Sequence, residues 1–145
     1  MQVDFWQLSR DPVERVVALI AERTRGAGEK LLVVSDDEAQ RAAVSRTLWE
    51  TKPEAFLANG EADAPHAARQ PILLSPRCDS PNCARYVVLA DGAWRGEAEA
   101  FERAFLLFGE AGTPAARTVW REFDGREDVE RSYYAQEDGK WVKKA

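Results

Sequence analysis

The sequence predicts an α/β fold, a three-layer sandwich in which a mostly parallel central sheet is flanked by helices. Three short apolar runs support this prediction: KLLVV at 30–34, PILLS at 71–75 and YVVLA at 86–90. Such uniformly apolar runs are typical of strands that are buried on both faces of a parallel sheet. Helix-start signals lie between strand-like runs, and alternation of strands and helices favours parallel strands with right-handed crossovers. The 145 residues contain no repeat or linker, so we expect a single domain over 1–145.

The first strand is predicted at 3–8, where VDFWQLS alternates and is rich in aromatic residues. A helix should follow, with Asp11 as its cap, Pro12 at its first position, Glu14 completing a capping box and Gly26 as its stop signal. Its apolar stripe has helical spacing and consists of Val13, Val16, Val17 and Ile20. These segments and the 30–34 strand form a strand, helix, strand unit.

A second helix is predicted from a capping box formed by Ser35 and Glu38, and it should run through about Trp49. Val44 and Leu48 point to the same side of this helix. Trp49 is turned about 100° further and lies at the edge of the buried stripe, which leaves part of its indole for a surface site.

The middle of the chain is less regular. Residues 58–70 are small, polar and rich in breakers, which predicts a loop. The stretch 101–108 has helical spacing but also suits a strand, and we expect a helix near 97–102 that passes into a strand around 104–108.

Near the C-terminus the chain alternates and contains Asp138-Gly139, a two-residue hairpin signal. We therefore expect extended structure in this tail.

The feature most relevant to function is a short predicted helix that Thr113 should cap and Pro114 should begin. Along it, Arg117, Trp120 and Arg121 stand at i, i+3 and i+4, so their side chains share one face. Arginine remains protonated near neutral pH and suits carboxylates better than it suits proton transfer. The pattern predicts a surface that binds something both acidic and apolar.

Bulk composition excludes several classes of protein. The formal charge of −5 and the pI of about 5.0 argue against nonspecific coating of nucleic acid, so an anion site must be a local patch. No stretch approaches the roughly 20 apolar residues that cross a bilayer, and the N-terminus lacks the pattern of a signal peptide. We expect a cytoplasmic protein with no membrane contact.

Signals for catalysis are weak, and we expect no enzyme activity, no cofactor and no metal. Cys78, Cys83 and His66 fall short of the four ligands of a usual zinc site, and reduced bystander thiols are favoured over a redox or metal role. The phosphate-loop candidate RGAGEKLL has Leu31 where a hydroxyl is needed, so the fold should be Rossmann-like without a nucleotide site. No GxSxG motif is present, and His66 has no evident nucleophile beside it.

The order of several motifs resembles the chi subunit of the bacterial DNA polymerase III holoenzyme. The motifs are FWQLS, KLLVVSDDEAQ running into TLWETKPEAFL, QPILLS, ARTVWREF and the closing YYAQEDGKWVKK. The resemblance implies a non-catalytic clamp-loader accessory subunit that pairs with the psi subunit and docks the acidic C-terminal tail of the single-stranded-DNA-binding protein. A repair helicase is a further candidate partner, and no direct nucleic-acid contact is expected.

The resemblance also implies a docking site. Arg117 and Arg121 would face the acids and the terminal carboxylate of the tail, while Trp120 would line an apolar pocket together with Trp49 and Phe56. Thr113 and Asp124 stand where the family can carry basic residues, which predicts a less positive pocket than in some relatives.

Two other functions remain open from the residues alone. One is a module that binds single-stranded DNA directly, using aromatic residues with Lys140, Lys143 and Lys144. The other is a nucleotide-binding α/β enzyme, because catalytic sites can be assembled from residues that a single sequence does not reveal.

Overall fold

The fold is a three-layer α/β sandwich around an eight-stranded sheet, as predicted. The computed structural model describes residues 1–50, 57–79, 81–138 and 140–145. The strands are β1 (Gln2–Gln7), β2 (Leu31–Val34), β3 (Asn59–Glu61), β4 (Ile72–Ser75), β5 (Tyr86–Leu89), β6 (Arg103–Phe108), β7 (Glu130–Glu137) and β8 (Lys140–Lys143). They lie in the order β3-β4-β2-β5-β6-β1-β7-β8, and all neighbours pair in parallel except β7 and β8.

Helices cover both faces of the sheet. α1 (Val13–Gly26) and α2 (Glu38–Glu50) pack on one face, with Val16, Val17 and Leu48 among the buried residues of that layer. α3 (Thr113–Glu122) packs on the other face through Ala116, together with a 3-10 turn at Gly96–Ala100. Within the described ranges, no helix is long and apolar enough to span a bilayer.

The predicted inner strands are confirmed, because every residue of β2 and of β4 is buried. The stretch 101–108 is mostly the strand β6, and the helical turn expected near 97–102 is the 3-10 turn at Gly96–Ala100 that precedes it. The predicted loop at 58–70 is only partly a loop, because Asn59–Glu61 pairs with β4 as an edge strand.

The hairpin prediction at the C-terminus is confirmed by the antiparallel pairing of Glu137 with Lys140. Asp138 adopts φ +50°, the left-handed conformation that a tight two-residue connection requires. Gly139 lies outside the described residues.

The predicted helix caps are wrong in their details. Pro12 precedes α1 rather than beginning it, and the Asp11 carboxylate does not cap the helix but accepts a hydrogen bond from Gln136 Nε2 at 2.7 Å. Before α2 the cap is Asp37 instead of Ser35, because Asp37 Oδ1 accepts the Ala39 amide at 3.0 Å. Thr113 is already helical, and among the residues that the structure describes no side chain caps α3.

Gln136 ties the loop before α1 to β7. Its Oε1 accepts the backbone amides of Ser9, Arg10 and Asp11 at 3.3, 3.1 and 3.4 Å, and the side chain is buried. Removal of this buried acceptor would leave three backbone amides without the partner that holds the loop to β7, which costs stability.

We therefore expect Gln136→Ala to lower the free energy of unfolding by about 1–2 kcal/mol. Urea denaturation of the variant and the wild type measures the difference. The control is Glu137→Ala, because Glu137 is the next residue in the chain and its side chain is exposed. A loss no larger than that of the control would contradict this account.

Candidate functional site

The candidate site lies on and beside α3. The connection between β6 and this helix is tight at Gly112. Any larger residue there would place its Cβ only 3.2 Å from the Cβ of Phe108, the last residue of β6. Ala116 faces the sheet and is buried, whereas Arg117 and Arg121 are exposed and Trp120 is half-buried. Arg117, Trp120 and Arg121 therefore lie on one helix, with the indole at the border of the core and the two arginines exposed.

Trp120 is anchored to the sheet by two aromatic contacts. Its ring centroid lies 5.1 Å from that of Phe5 on β1, with an interplanar angle of 71°, and 6.0 Å from that of Tyr133 on β7, with an angle of 79°. Such edge-to-face pairs are favoured by the charge distribution of the rings. The indole is thus held in place while part of it remains exposed.

A third cation stands against the same indole. The guanidinium carbon of Arg131 lies 4.4 Å from the Trp120 ring centroid. Arg131 also donates to the backbone carbonyl of Trp120 and, from Nη2, to Asp124 Oδ1 at 2.5 Å. Arg131 was not among the predicted site residues, because only the alternation of β7 and its pairing with β1 bring the side chain to the face that α3 covers.

Arg117 and Arg121 differ from most arginines near them in having no salt bridge among the described residues. By contrast, Arg126 pairs with Glu99 and Asp128, and Arg131 pairs with Asp124. Both guanidinium groups are exposed and are therefore available to an anionic partner.

Tyr133 links α3 to the end of β1. Its hydroxyl donates to Gln7 Oε1 at 2.7 Å. Burial raises the pKa of the Tyr133 hydroxyl, while the positive charge of Arg117 acts in the opposite direction. The hydroxyl therefore remains a neutral hydrogen-bond donor near neutral pH, and the charge of Arg117 is felt at this part of the site.

Asp124 and Thr113, the two positions expected to make the pocket less positive, both have partners within the site region. The Asp124 carboxylate is held by Arg131 rather than by Arg121. Thr113 is half-buried, and its hydroxyl donates to the Gly109 carbonyl at 3.4 Å.

Trp49 is not brought to this site. It lies on α2, on the opposite face of the sheet from α3, and is 54% exposed. The shared pocket of Trp49 and Trp120 is therefore not formed, and Phe56 lies outside the described residues.

The other residues singled out in the sequence are the C-terminal lysines and the cysteines, and none of them lies on α3. Lys144 pairs with Glu137, whereas Lys140 and Lys143 are exposed on β8. Burial raises the pKa of the Cys78 thiol to about 11, helped by the nearby charge of Glu97, so this thiol is protonated near neutral pH. In the part of the chain that the structure describes, no three potential metal ligands cluster.

Comparison with known proteins identifies the family. A family model described as DNA polymerase III chi subunit, HolC, matches residues 1–128, which includes all of α3 and ends just before β7. The search of curated proteins found no match to the chain. The match covers most of the 145 residues, and the chain therefore belongs to the family of the DNA polymerase III chi subunit, an accessory subunit of that polymerase.

Proposed function

We propose that this chain acts as a non-catalytic, single-domain subunit that docks the acidic C-terminal tail of the single-stranded-DNA-binding protein on α3. In the same proposal it joins the clamp loader through psi, with a repair helicase as a further partner, and works in the cytoplasm. Membership of the chi family supports the replication setting.

One observation carries the tail-docking proposal. Two exposed guanidinium groups, those of Arg117 and Arg121, flank a half-buried indole and have no salt bridge within the described ranges. Guanidinium groups bind carboxylates through charge-assisted, often bidentate hydrogen bonds, and an indole edge provides apolar contact. An acidic peptide that ends in an apolar residue and a carboxylate offers both complements.

The expected affinity is modest. Few anchors are available, and the chain carries a net charge of −5 that repels an acidic peptide at long range. We expect a dissociation constant on the order of micromolar, which rises with salt because exposed ion pairs are screened.

The resemblance to the chi family implies that the acidic tail ends in Pro-Phe. Arg117→Ala should weaken binding of such a peptide by about tenfold or more, because a charge-assisted hydrogen bond is lost. Titration followed by tryptophan fluorescence measures the effect, beside the same peptide as its C-terminal amide. Arg23→Ala is the matched control, because Arg23 is an exposed arginine on α1, across the sheet from α3. Equal affinities for the acidic peptide and a scrambled peptide would refute tail docking at any site.

The resemblance also implied that Trp49 contacts the tail, but Trp49 lies on the opposite face of the sheet from α3. Because α3 alone binds the tail in this proposal and α2 lies on the other face, Trp49→Ala should leave the tail affinity unchanged.

Direct binding of single-stranded DNA is the competing function. A titration with an oligonucleotide in the absence of peptide tests it, and tight binding of the oligonucleotide would favour that function.

A further inference from the structure

We infer that Arg131 is a positioning residue of the tail site: it holds the Trp120 indole in place and takes up the charge of Asp124. This inference rests on the proposed function, because it concerns how the α3 surface is prepared for an acidic peptide. Arg131 lies beyond the residues that the family model matches.

The contacts of Arg131 converge on the C-terminal turn of α3. The guanidinium stacks over the Trp120 ring at 4.4 Å and donates to the carbonyl of the same residue. Its second donor group reaches Asp124, whose amide caps the helix end by donating to the Arg121 carbonyl at 3.0 Å. One side chain therefore fixes both the backbone and the ring of Trp120.

The position of Arg131 is fixed by the sheet. In the parallel register of β7 with β1, Arg131 stands opposite Val3 and Tyr133 stands opposite Phe5. Alternation places Arg131 and Tyr133 on the same face of the sheet, beneath α3. Trp120 is thus held by Phe5 and Tyr133 at the rings and by Arg131 over its face.

The charge of Arg131 has a second effect. Asp124 follows the C-terminal end of α3, where the helix dipole already disfavours a carboxylate. Arg131 is only 25% exposed and pairs with Asp124, so the negative charge is compensated locally. The positive charges of Arg117 and Arg121 then remain uncompensated for the peptide.

The experiment compares four variants: Arg131→Gln, Arg131→Lys, Asp124→Asn and the double variant Arg131→Gln with Asp124→Asn. The first readout needs no peptide. Acrylamide quenching of Trp120 is obtained in each background as the difference between the protein and its Trp120→Phe version.

We expect Arg131→Gln to increase the quenching of Trp120 and to weaken peptide binding by about threefold to tenfold, as expected for a lost cation–π contact and an uncompensated carboxylate. Arg131→Lys should keep most of the protection, because it keeps a cation. The double variant should recover part of the affinity without restoring protection, because it removes the carboxylate but not the exposure of the ring.

Two results would overturn the inference. One is unchanged quenching of Trp120 in Arg131→Gln. The other is a double variant that binds no better than Arg131→Gln and shows a weaker salt dependence, which would make Arg131 a direct peptide contact. If wild-type protein does not bind the peptide at all, the proposed function fails, while the quenching measurement still decides whether Arg131 positions Trp120.

Discussion

Phe5→Ala is expected to lower the free energy of unfolding by about 3–5 kcal/mol, because it removes a large side chain from a site that cannot collapse. Phe5 is fully buried on β1, between its neighbours β6 and β7. Its ring lies parallel to that of Tyr133 at 6.4 Å and meets Trp120 edge-on at 5.1 Å. The substitution therefore removes the support of the candidate site as well as core volume.

Urea denaturation measures this effect, and Phe5→Leu is the matched control. Leucine keeps most of the apolar volume, so its cost should be less than about 1.5 kcal/mol. The quenching of Trp120 should increase more in Phe5→Ala than in Phe5→Leu. A cost for Phe5→Ala no larger than that of Phe5→Leu would mean that the ring is not part of the packed core.

Local patterns determined the parts of the fold that could be predicted. The apolar run at Leu31–Val34 predicted a strand correctly, because a strand that is buried on both faces is uniformly apolar, and all four residues are buried. The caps could not be predicted in the same way, because Asp11 is engaged by Gln136, which is 125 residues away in the sequence. Asp37 and Ser35 are both suitable cap residues, and only the start of α2 at Glu38 decides between them.

Only the part of the candidate site that lies on a single helix could be predicted from the sequence. The spacing of Arg117, Trp120 and Arg121 is local, whereas Arg131 and Tyr133 reach Trp120 through the pairing of β7 with β1. This pairing is set by tertiary structure rather than by periodicity.

The separation of Trp49 from α3 follows from strand order. Through α2 the chain crosses from β2 to β3 in one direction along the sheet, and through α3 it crosses from β6 to β7 in the other. Right-handed crossovers in opposite directions place their helices on opposite faces. Because the order of the strands cannot be read from the sequence, the resemblance alone could not reveal that α2 and α3 lie on different faces.

The carboxylate of Asp91 joins the ends of two central strands, β2 and β5. It accepts hydrogen bonds from the backbone amides of Asp36 at 3.0 Å and Ala93 at 3.2 Å. It also accepts hydrogen bonds from both terminal nitrogens of Arg95, at 3.0 and 2.8 Å. The side chain is only 15% exposed. Burial alone would raise the pKa of Asp91, but the hydrogen bonds from Arg95 and the two amides outweigh it, so the pKa is lowered.

Asp91→Ala should lower the free energy of unfolding at pH 7 by about 2–4 kcal/mol, because charge-assisted hydrogen bonds are lost and donors are left without an acceptor. A lowered pKa in the folded state means that this stabilisation is complete above the unfolded-state value of about 3.9 and is lost as the pH falls through the folded-state value. The difference in unfolding free energy between wild type and variant should therefore be constant from about pH 7 to 5 and shrink in more acidic solution.

Denaturation at a series of pH values measures this difference. The control is Asp36→Ala, because the Asp36 side chain is 78% exposed and its ion pair with Arg95 should contribute about 1 kcal/mol or less. A difference that grows as the solution is acidified would show that Asp91 is stabilised in its protonated form, contrary to the hydrogen bonds that surround it.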